Sequence, residues 1–339
     1  MTTPFFSIIL PVYNGEKYLH QSLGALKKQT CSDFELLIID DASDDASSAI
    51  CKQYKPDQLL KNSKRRDHLY CRNKAAKVAK GKVFVFTDAD VVFAPDTLEK
   101  LFNHFQNENA ECVLGLYSLD HPNTNCSSLY KNTWIRYTYL SSSTQVDWFF
   151  SAIGAMRKDI WLLGGGFGED FVRTTGGGDI ALGKKLFNKS ITIELDKSLE
   201  VVHLKRYSLL DLLRNDFNRS SGYSQLGLRS GEPWYLFFQH GFANIGWPFV
   251  VSTLLSWLLV MLAVRLLFLF QFSLPFCGLF LLYWVINVPF LFYCSKHYSL
   301  LTVIQFAGIL FLDHLFSGLG VAKGVTSQLF NTIVRKQKK

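Results

Sequence analysis

The feature that most constrains this chain is a long apolar block at residues 234–330. Its only charged residues are Arg265, Lys296, Asp313 and Lys323. Up to about residue 231 the chain instead alternates charged and apolar segments, as a soluble domain does. We therefore predict two parts: a soluble domain over 1–230, and a membrane region over 231–339 that ends in a basic tail.

Two stretches of the block, at about 245–270 and 272–294, each exceed the roughly 20 apolar residues that cross a bilayer as a helix. The connection between them is short, which predicts a helical hairpin. A third apolar stretch, at about 298–321, contains Asp313 and His314, and it can span the membrane, re-enter it or lie along its surface. Basic residues on both flanks favour an even number of spans with both ends cytoplasmic. We therefore prefer two spans plus an interfacial or re-entrant segment.

The chain carries a formal net charge of +8, and basic residues stand on both sides of the apolar block. No basic helix or aromatic RNA-binding pattern accompanies this charge, so we expect no nucleic-acid partner. Basic residues beside a membrane segment are attracted to anionic lipid on the cytoplasmic side. We expect membrane lipid as a partner, and a multi-pass protein of the cell inner membrane whose soluble domain is cytoplasmic. The flanking residues are Lys205, Arg206, Arg214, Arg219 and Arg229 before the block and Arg335, Lys336, Lys338 and Lys339 after it.

The seven cysteines include no Cys-x-x-Cys pair and no Cys/His metal spacing. Their odd number and scattered positions indicate reduced thiols in a cytosolic domain. Residues 1–12 lack a basic segment, and their apolar run is too short for a signal peptide. This run predicts a first strand.

Strand and helix patterns alternate after that first strand. Asn14 is a good N-cap for a helix at about 16–29. A strand at 35–39 follows, and then a second helix with Ser43 or Asp44 as its cap. This order predicts an α/β domain with a parallel sheet and helices on its faces.

Two aspartates end a short apolar run at 83–86. A strand cannot bury unpaired carboxylates cheaply, so Asp88 and Asp90 should emerge at its C-terminal edge, where ligands bind in an open α/β sheet. Side chains at i and i+2 of an extended chain point the same way, so both can face one hard cation. Mg²⁺ or Mn²⁺ that also binds substrate phosphates is the expected use, and a solvated turn is the plain alternative.

The rest of the first 230 residues is less regular. A capping box at Ser208-x-x-Asp211 predicts an amphipathic helix, which either lies at the membrane interface or closes the domain. Glycines at 176–178 precede Asp179, whose charge is favourable at the start of a helix over 180–187. Residues 118–147 give no clear pattern. Further helices are expected at about 73–79 and after Pro95, and strands at 112–117, 190–195 and 199–204.

Five short motifs occur in order: Pro11-Val12-Tyr13-Asn14-Gly15, Ile39-Asp40-Asp41-Ala42-Ser43-Asp44-Asp45, Arg72-Asn73, Thr87-Asp88-Ala89-Asp90 and Gly165-Gly166-Phe167. The ordered set resembles the family-2 inverting glycosyltransferases of GT-A fold, over roughly residues 5–205. The apolar block looks like that of membrane-anchored bacterial members that act in polysaccharide or lipid-linked glycan assembly. The resemblance implies an α/β, Rossmann-like GT-A domain that binds a nucleotide-sugar, followed by a transmembrane helical region.

The resemblance also implies how the nucleotide is held. Pro11, Tyr13 and Asn14 would line the pocket beside the base and ribose. Asp41 would hydrogen-bond the base, typically uracil, with helix capping as the alternative for Asp41 and for Asp40.

The same resemblance assigns the diphosphate and sugar contacts. Arg72 would reach the base or the diphosphate, and a surface arginine is the alternative. Asp88 would hold the ribose or the sugar, and Asp90 would bind the metal, Mg²⁺ or Mn²⁺, that bridges both phosphates. His203 ends a strand where some relatives place a metal-binding histidine, and a structural histidine is the alternative.

One departure from the family concerns the catalytic base. The family usually has Glu-Asp at the start of the acceptor-side helix, and the Asp is the base. Here Gly178-Asp179 keeps the Asp and replaces the Glu, which puts the acceptor contacts in question. Glu169-Asp170 is a second pair, but it follows Gly-Gly-Phe directly, so we assign the base to Asp179 rather than Asp170.

These residues predict a metal-dependent inverting enzyme. It would move a sugar from a nucleotide-sugar, a UDP-sugar by preference, to a hydroxyl of a lipid-linked or polysaccharide acceptor. Transfer to polyprenyl phosphate and a non-catalytic nucleotide-sugar-binding scaffold are the alternatives. A processive synthase is disfavoured because the Gln-x-x-Arg-Trp motif of such enzymes does not occur in the sequence.

Overall fold

The computed structural model describes residues 3–168, 177–230, 245–269 and 274–337. Its chain forms two compact units that interleave in sequence. The sheet unit comprises Met1–Asn123, Tyr139–Arg173 and Gly178–Lys205, and the helical unit comprises Thr124–Thr138, Thr174–Gly177 and Arg206–Lys339.

The described strands of the sheet unit form one mixed sheet. They are β1 Phe6–Val12, β2 Phe34–Asp40, β3 Gln58–Lys61, β4 Val83–Thr87, β5 Val91–Phe93, β6 Cys112–Tyr117, β7 Ile153–Arg157 and β8 Ile193–His203. Their order is β3-β2-β1-β4-β7-β6-β8-β5. Strands β3, β2, β1 and β4 are parallel neighbours, but β7 is antiparallel to both β4 and β6, and β5 is antiparallel to β8. The expectation of a parallel sheet is therefore correct for β3-β2-β1-β4 and for the β6–β8 pair, and wrong for β7 and β5.

The central strands β1 and β4 are buried along their whole length. Phe84 and Phe86 of β4 pack edge to face, and Phe86 also packs on Trp161 and Phe167. Helices on the faces of parallel strands keep such apolar runs out of water. This packing holds β4 in place up to Thr87, and so determines where the chain leaves the sheet.

The helices of the sheet unit follow the sequence pattern closely in type and less closely in their ends. They are α1 Glu16–Lys27, α2 Ser47–Gln53, α3 His68–Ala76, α4 Thr97–Gln106, α6 Lys158–Gly164 and α7 Gly177–Phe187. Helix α5, Cys126–Ser141, is divided between the two units and lies in the stretch without a clear pattern. Helix α4 buries Leu98, Leu101 and Phe105, the apolar face expected after Pro95.

Helix α1 is capped by a neighbouring loop and not by Asn14. Its N-cap is Gly15, and the amide of Glu16 donates to Asp45 Oδ2 at 3.1 Å. Asn14 has a left-handed backbone with φ of 50°, and its side-chain oxygen accepts the amide of Asp44. The expected cap is wrong because the Asn14 side chain joins the loop after β1 to the loop after β2.

Three other boundaries also differ from expectation. Helix α2 begins at Ser47, so neither Ser43 nor Asp44 is its N-cap. Helix α3 begins at His68, well before the expected start, because Asp67 caps it. Strand β8 is one strand where two were expected, but its pairing with β6 shifts register between Leu195 and Glu200, in the gap between the two expected strands.

The described helices of the helical unit are α8 Leu209–Ser230, α9 Trp247–Leu269, α10 Leu274–Ser295 and α11 Leu300–Gln337. The expected capping box opens α8, because the Asp211 amide donates to Ser208 Oγ and the Ser208 amide donates to Asp211 Oδ2. Helices α9, α10 and α11 are each long and apolar enough to cross a membrane. The third apolar stretch is thus one continuous helix, longer than the expected 298–321.

The helical unit also buries a group of ionisable side chains. Lys131 of α5 forms an ion pair with Asp216 of α8, and Tyr130 donates to Asp313 Oδ2 of α11 at 2.9 Å. None of these four residues is more than 5% exposed. Because an unpaired buried charge is costly, these contacts determine how α5, α8 and α11 pack together.

Gly81 lies where two backbone segments approach closely. A Cβ at this position would lie 2.5 Å from the backbone nitrogen of Ser7 and 2.6 Å from the carbonyl carbon of Phe6. We predict that Gly81→Ala lowers the free energy of unfolding by about 1–3 kcal/mol, because a strand backbone cannot move aside. Thermal unfolding of the full chain in detergent measures this change.

Gly24→Ala is the matched control. The nearest atom to a Cβ at Gly24 is the Tyr54 hydroxyl oxygen at 3.8 Å, and the residue lies inside α1. Alanine is favoured over glycine in a helix, so this variant should be as stable as the wild type or slightly more stable. Equal stability of Gly81→Ala and the wild type would contradict the packing described for β1.

Candidate active site

The candidate site lies at one edge of the sheet. Parallel strands end on the same side, so the loops after β1, β2 and β4 emerge there together. Strand β7 runs in the opposite direction and pairs Ile153 with Thr87, so the residues just before β7 reach the same edge. The residues brought together in this way are Tyr13, Asp41, Asp88 and Ser151.

A fully buried arginine connects the parts of this edge. Arg72 of α3 has no exposed surface, and its Nη2 donates to Asp88 Oδ1 at 2.5 Å and to the Ser151 carbonyl oxygen at 3.4 Å. The Arg72 guanidinium also lies 5.7 Å from the centroid of the Phe167 ring. Its Nε and Nη1 are buried and have no hydrogen-bond partner within the described part of the chain. Two donors of this buried cation therefore lack a hydrogen-bond partner in the described part of the chain, which is costly.

Asp179, in the first turn of α7, is held by Ser151. The backbone amide and the hydroxyl of Ser151 both donate to Asp179 Oδ2, at 3.1 Å and 2.6 Å. Asp179 Oδ1 is buried and has no hydrogen-bond partner among the described residues. One oxygen of the carboxylate is thus fixed in place, and the other is left to accept a proton or a hydrogen bond.

Asp90 and His203 form a second polar pair. Val91 pairs with His203 in the β5–β8 ladder, and the Leu204 amide donates to the Asp90 carbonyl oxygen at 2.7 Å. This register brings Asp90 Oδ2 to 3.7 Å from His203 Nε2. Burial alone would raise the pKa of Asp90, but the hydrogen bond and charge of His203 lower it below its ordinary value. The His203 ring is fixed by stacking on Tyr117, with the ring centroids 4.3 Å apart.

The charge of Asp88 links the two halves of the site. Burial raises the pKa of Asp88 above its ordinary value, the Arg72 cation opposes this shift, and the negative charges of Asp90 and Asp179 add to it. Asp88 is therefore within electrostatic range of both other carboxylates. Contacts also connect Asp88 to Asp179, because Arg72 donates to Asp88 and to the Ser151 carbonyl oxygen, and Ser151 donates to Asp179.

The Asp41 carboxylate organises the loop between β3 and α3. Its Oδ1 accepts from Asn62 Nδ2 at 2.7 Å and from the Arg66 amide at 2.9 Å, and its Oδ2 accepts from the Asp67 amide at 2.9 Å. Asp41 is 3% exposed. Its described hydrogen bonds are thus made to the protein, and its contact with a base stays a prediction.

The other residues expected in the nucleotide pocket differ in exposure. Pro11 is buried inside β1, where it pairs with Ile39 of β2. Asn14 joins the two loops as described above, whereas the Tyr13 ring is 39% exposed at the sheet edge. Tyr13 and Asn14 are thus both exposed at this edge, and Pro11 is not.

Gly178 is a packing residue. A Cβ at this position would lie 2.3 Å from Leu69 Cδ1, and Leu69 is itself 1% exposed. Leu69 of α3 therefore occupies the space that a side chain at 178 would need. Glu169, Asp170 and Gly176 lie outside the described residues.

A separate group could also hold a metal ion. It comprises His104, Glu108 and Glu194, and His104 Nε2 also lies 3.0 Å from Asp196 Oδ2. Glu194 pairs with Val113 of β6, and Val201 pairs with Tyr117, four residues further along β6, which corresponds to about 13 Å. His203 lies two residues beyond Val201, so the group is separate from the Asp90–His203 pair.

Sequence reasoning did not assign a role to Ser151. The residue precedes an apolar strand and belongs to no recognised motif, so only the antiparallel pairing of β7 places it beside Asp179. Predicting this contact would have required the direction of β7, which the sequence pattern does not give.

The family model described as glycosyl transferase family 2 matches residues 7–194, which is more than half of the chain. The chain belongs to glycosyl transferase family 2. The matched segment contains Asp88, Asp90 and Asp179 and ends before His203.

Two curated relatives illustrate the similarity. A validoxylamine A glucosyltransferase from Streptomyces hygroscopicus subsp. limoneus is 28% identical over 229 residues, which cover 57% of this chain and 50% of that protein. The poly(ribitol-phosphate) β-N-acetylglucosaminyltransferase TarP from Staphylococcus aureus is 32% identical over 122 residues, which cover 34% of this chain and 37% of that protein. The chain thus spans half or less of the length of these relatives.

A solved structure confirms the GT-A fold. A mannosyltransferase from Pyrobaculum calidifontis, in complex with GDP-Man and Mn²⁺, superposes with a TM-score of 0.63 and 18% identity. The match covers 96% of this chain and 88% of the other. At this level of identity the likeness concerns the fold alone.

The contact between Gly178 and Leu69 gives a testable prediction. Gly178→Ala and Leu69→Ala should each destabilise the protein, the first by overlap and the second by leaving a cavity, with a cost of about 2–5 kcal/mol for the second. In the double variant the added methyl group fills part of that cavity. We therefore expect the double variant to lose less unfolding free energy than the two single variants together, by about 1 kcal/mol or more. Unfolding in detergent measures the three losses. Additive effects would show that the two residues do not touch.

Proposed function

We propose that the protein is a metal-dependent inverting glycosyltransferase. It would move a sugar from a nucleotide-sugar, a UDP-sugar by preference, to a hydroxyl of a lipid-linked or polysaccharide acceptor. The observation that carries the proposal is the Asp179 carboxylate, which has one oxygen held by Ser151 and the other without a partner in the described chain. Family membership and the fold support it independently.

Asp179 acts as the general base in this proposal. Its Oδ1 takes the proton of the acceptor hydroxyl while the hydroxyl oxygen attacks the anomeric carbon. The bond from that carbon to the diphosphate breaks on the opposite face, so a single displacement inverts the configuration. Ser151 acts as a positioning residue, because its two hydrogen bonds hold the carboxylate in one orientation.

Arg72 stabilises the leaving group. Its charge is fully buried and is balanced by Asp88, and Nε and Nη1 lack partners in the described chain. A diphosphate bound beside Asp88 would lie in the field of this enclosed cation, and a direct hydrogen bond would need the groups that cover Nε and Nη1 to move. Negative charge that develops on the diphosphate during bond breaking is then stabilised by a cation already in place.

Asp90 and His203 would hold a divalent metal ion, Mg²⁺ or Mn²⁺. Two ligand atoms on one ion with bonds of about 2.1 Å lie at most about 4.2 Å apart, and the separation of Asp90 Oδ2 and His203 Nε2 is 3.7 Å. As ligands the two side chains would be an ionised carboxylate and a neutral imidazole. When bound, such an ion neutralises charge on the two phosphates.

The helical unit supports a membrane location and a membrane-linked acceptor. It offers three helices that can cross a bilayer. We propose a multi-pass protein of the inner membrane whose sheet unit faces the cytoplasm, in contact with membrane lipid. A hydroxyl acceptor needs a base to remove its proton, whereas a polyprenyl phosphate does not, so an Asp179 oxygen that no described residue contacts favours the hydroxyl.

Asp179→Asn tests the assignment of the base. The amide cannot take a proton, so we expect sugar transfer to fall by about 100-fold or more, while the affinity for the nucleotide-sugar stays within about twofold. The assay measures nucleoside diphosphate release by purified protein with several nucleotide-sugars, and donor binding by calorimetry. Asp147→Asn, which changes an aspartate paired with Lys184, is the control and should keep its activity. Wild-type turnover by Asp179→Asn would refute the assignment, and failure of the wild type to transfer or bind any donor would favour a scaffold.

Asp90→Ala tests the metal site. Donor affinity of the wild type should rise on addition of Mn²⁺ or Mg²⁺, and that increase should disappear in the variant because the ion loses its carboxylate. Calorimetric titration with and without metal measures the difference. Asp96→Ala, which removes an exposed partner of Lys100, should leave the increase intact. An unchanged metal effect in Asp90→Ala would rule out this aspartate as a ligand.

A further inference from the structure

One histidine and three carboxylates meet where the end of α4 lies against β8. They are His104 of α4, Glu108 just beyond the end of that helix, and Glu194 and Asp196 of β8. The imidazole can offset at most one of the three negative charges. Within the described ranges no lysine or arginine forms an ion pair with these carboxylates. The group therefore carries an excess of negative charge, which a divalent cation would neutralise.

Asp196 fixes the orientation of the His104 ring. Its Oδ2 lies 3.0 Å from His104 Nε2, and its Oδ1 accepts hydrogen bonds from the amide and the hydroxyl of Ser198, both at 2.7 Å. Because an ionised carboxylate can only accept, Nε2 is the donor. In a neutral imidazole the other nitrogen, Nδ1, then carries the lone pair.

His104 Nδ1 faces the two glutamates. It lies 2.8 Å from Glu108 Oε2 and 3.9 Å from Glu194 Oε2. The atom is buried, yet it has no hydrogen-bond partner in the part of the chain that the structure describes. The Glu108 oxygen is close enough for a hydrogen bond, so it must lie off the direction in which the ring nitrogen forms one. A metal ion between the three atoms would use the lone pair that this arrangement leaves.

The three ligand atoms are close to the spacing that a metal ion needs. The nitrogen and one oxygen of each glutamate all lie within 4.8 Å of one another. Bonds of about 2.1 Å require ligand atoms no more than about 4.2 Å apart, so a movement of about half an ångström completes the set. The Glu108 side chain is 59% exposed and is free to make this movement. Glu194 is held in place by the pairing of β8 with β6.

We propose that His104 Nδ1, Glu108 and Glu194 bind one divalent transition-metal ion, for which Zn²⁺ is the probe, and that Asp196 positions the imidazole. An imidazole nitrogen suits Zn²⁺, whereas Mg²⁺ and Ca²⁺ prefer oxygen ligands. A carboxylate that accepts from the second nitrogen of a histidine is the usual outer support of such a ligand. The ion ties the end of α4 to β8. It is separate from the ion proposed at the active site, and its binding does not depend on sugar transfer.

Thermal unfolding of the full chain in detergent tests the site. After a chelator has removed bound metal, added Zn²⁺ should raise the Tm of the wild type by about 3 °C or more, because the ion binds the folded site. His104→Gln should lose most of this increase, and calorimetry should count one bound Zn²⁺ fewer in the variant. Mg²⁺ should affect both proteins equally.

Further variants examine the ligands one at a time. Glu108→Gln changes an exposed side chain and so leaves the core intact, and we expect it to bind Zn²⁺ about tenfold more weakly. Asp196→Asn keeps an acceptor for His104 but loses the charge that makes the imidazole more basic, so Zn²⁺ affinity should fall by about tenfold or more.

Two control variants should respond to Zn²⁺ like the wild type. Glu99→Gln changes an exposed glutamate in the first turn of the same helix, where it accepts from Thr30. Asp90→Ala removes the carboxylate of the proposed active-site metal and leaves the His104 group intact.

Each outcome has a definite meaning. An equal Zn²⁺ response of the wild type, His104→Gln and Glu108→Gln overturns the proposal and leaves the group as ion pairs of a protonated histidine. If His104→Gln fails to fold, Glu108→Gln alone decides between these results. A response that disappears in Asp90→Ala and persists in His104→Gln assigns the bound Zn²⁺ to the active site and also overturns the proposal. Wild-type Zn²⁺ affinity in Asp196→Asn overturns the positioning role of Asp196.

Discussion

The site depends on one buried cation. Arg72 is completely enclosed, and an enclosed guanidinium is tolerated only where a carboxylate and oriented acceptors compensate its lost hydration. Asp88 provides the charge, and the Ser151 carbonyl provides a second contact. Because Ser151 also holds Asp179, the same cation is connected through one residue to the carboxylate at the start of α7. Removing the Arg72 charge would leave Asp88 as an unpaired anion within the electrostatic influence of Asp90 and Asp179. Helix α3, which carries Arg72, is therefore coupled to the acidic residues of the site by electrostatics.

The direction of one strand explains why these groups meet. Had β7 been parallel to β4, its N-terminal end would lie at the far edge of the sheet, a strand length away from Asp88. Its antiparallel pairing brings Ile153 opposite Thr87, and Ser151 follows at the working edge. The same principle applies to β5 and β8, whose antiparallel register sets Val91 opposite His203 and thereby brings the imidazole to Asp90. The parallel half of the sheet supplies the loops expected to bind the nucleotide, and the antiparallel strands supply the partners of the acidic residues.

Much of this arrangement is predictable from local pattern, and the remainder is not. The buried run before Asp88 and Asp90 identifies β4 and its edge, since short apolar strands and paired carboxylates are local signals. The fold and its family follow from motif order. Asn14 was expected to cap α1 but joins two loops, because a neighbouring Asp45 competes for the helix amides, and such long-range competition has no local signature. The roles of Ser151 and Leu69 were not predicted for the same reason. Ser151 reaches Asp179 only because of the direction of β7, and Leu69 acts by packing against Gly178. The contacts of Asp41 with the β3–α3 loop are likewise set by tertiary structure.

The interleaving of the two units has a practical consequence for anyone preparing the protein. Residues 124–138 lie between β6 and β7 in the chain but belong to the helical unit, where Tyr130 and Lys131 have their partners on α11 and α8. A fragment ended after Lys205 would keep this segment and lose those partners. It would then present a lysine without its counter-ion and an uncovered aromatic surface to water, which favours self-association. Water-soluble versions of the sheet unit therefore call for redesign of 124–138, and simple removal of the C-terminal helices is the wrong route.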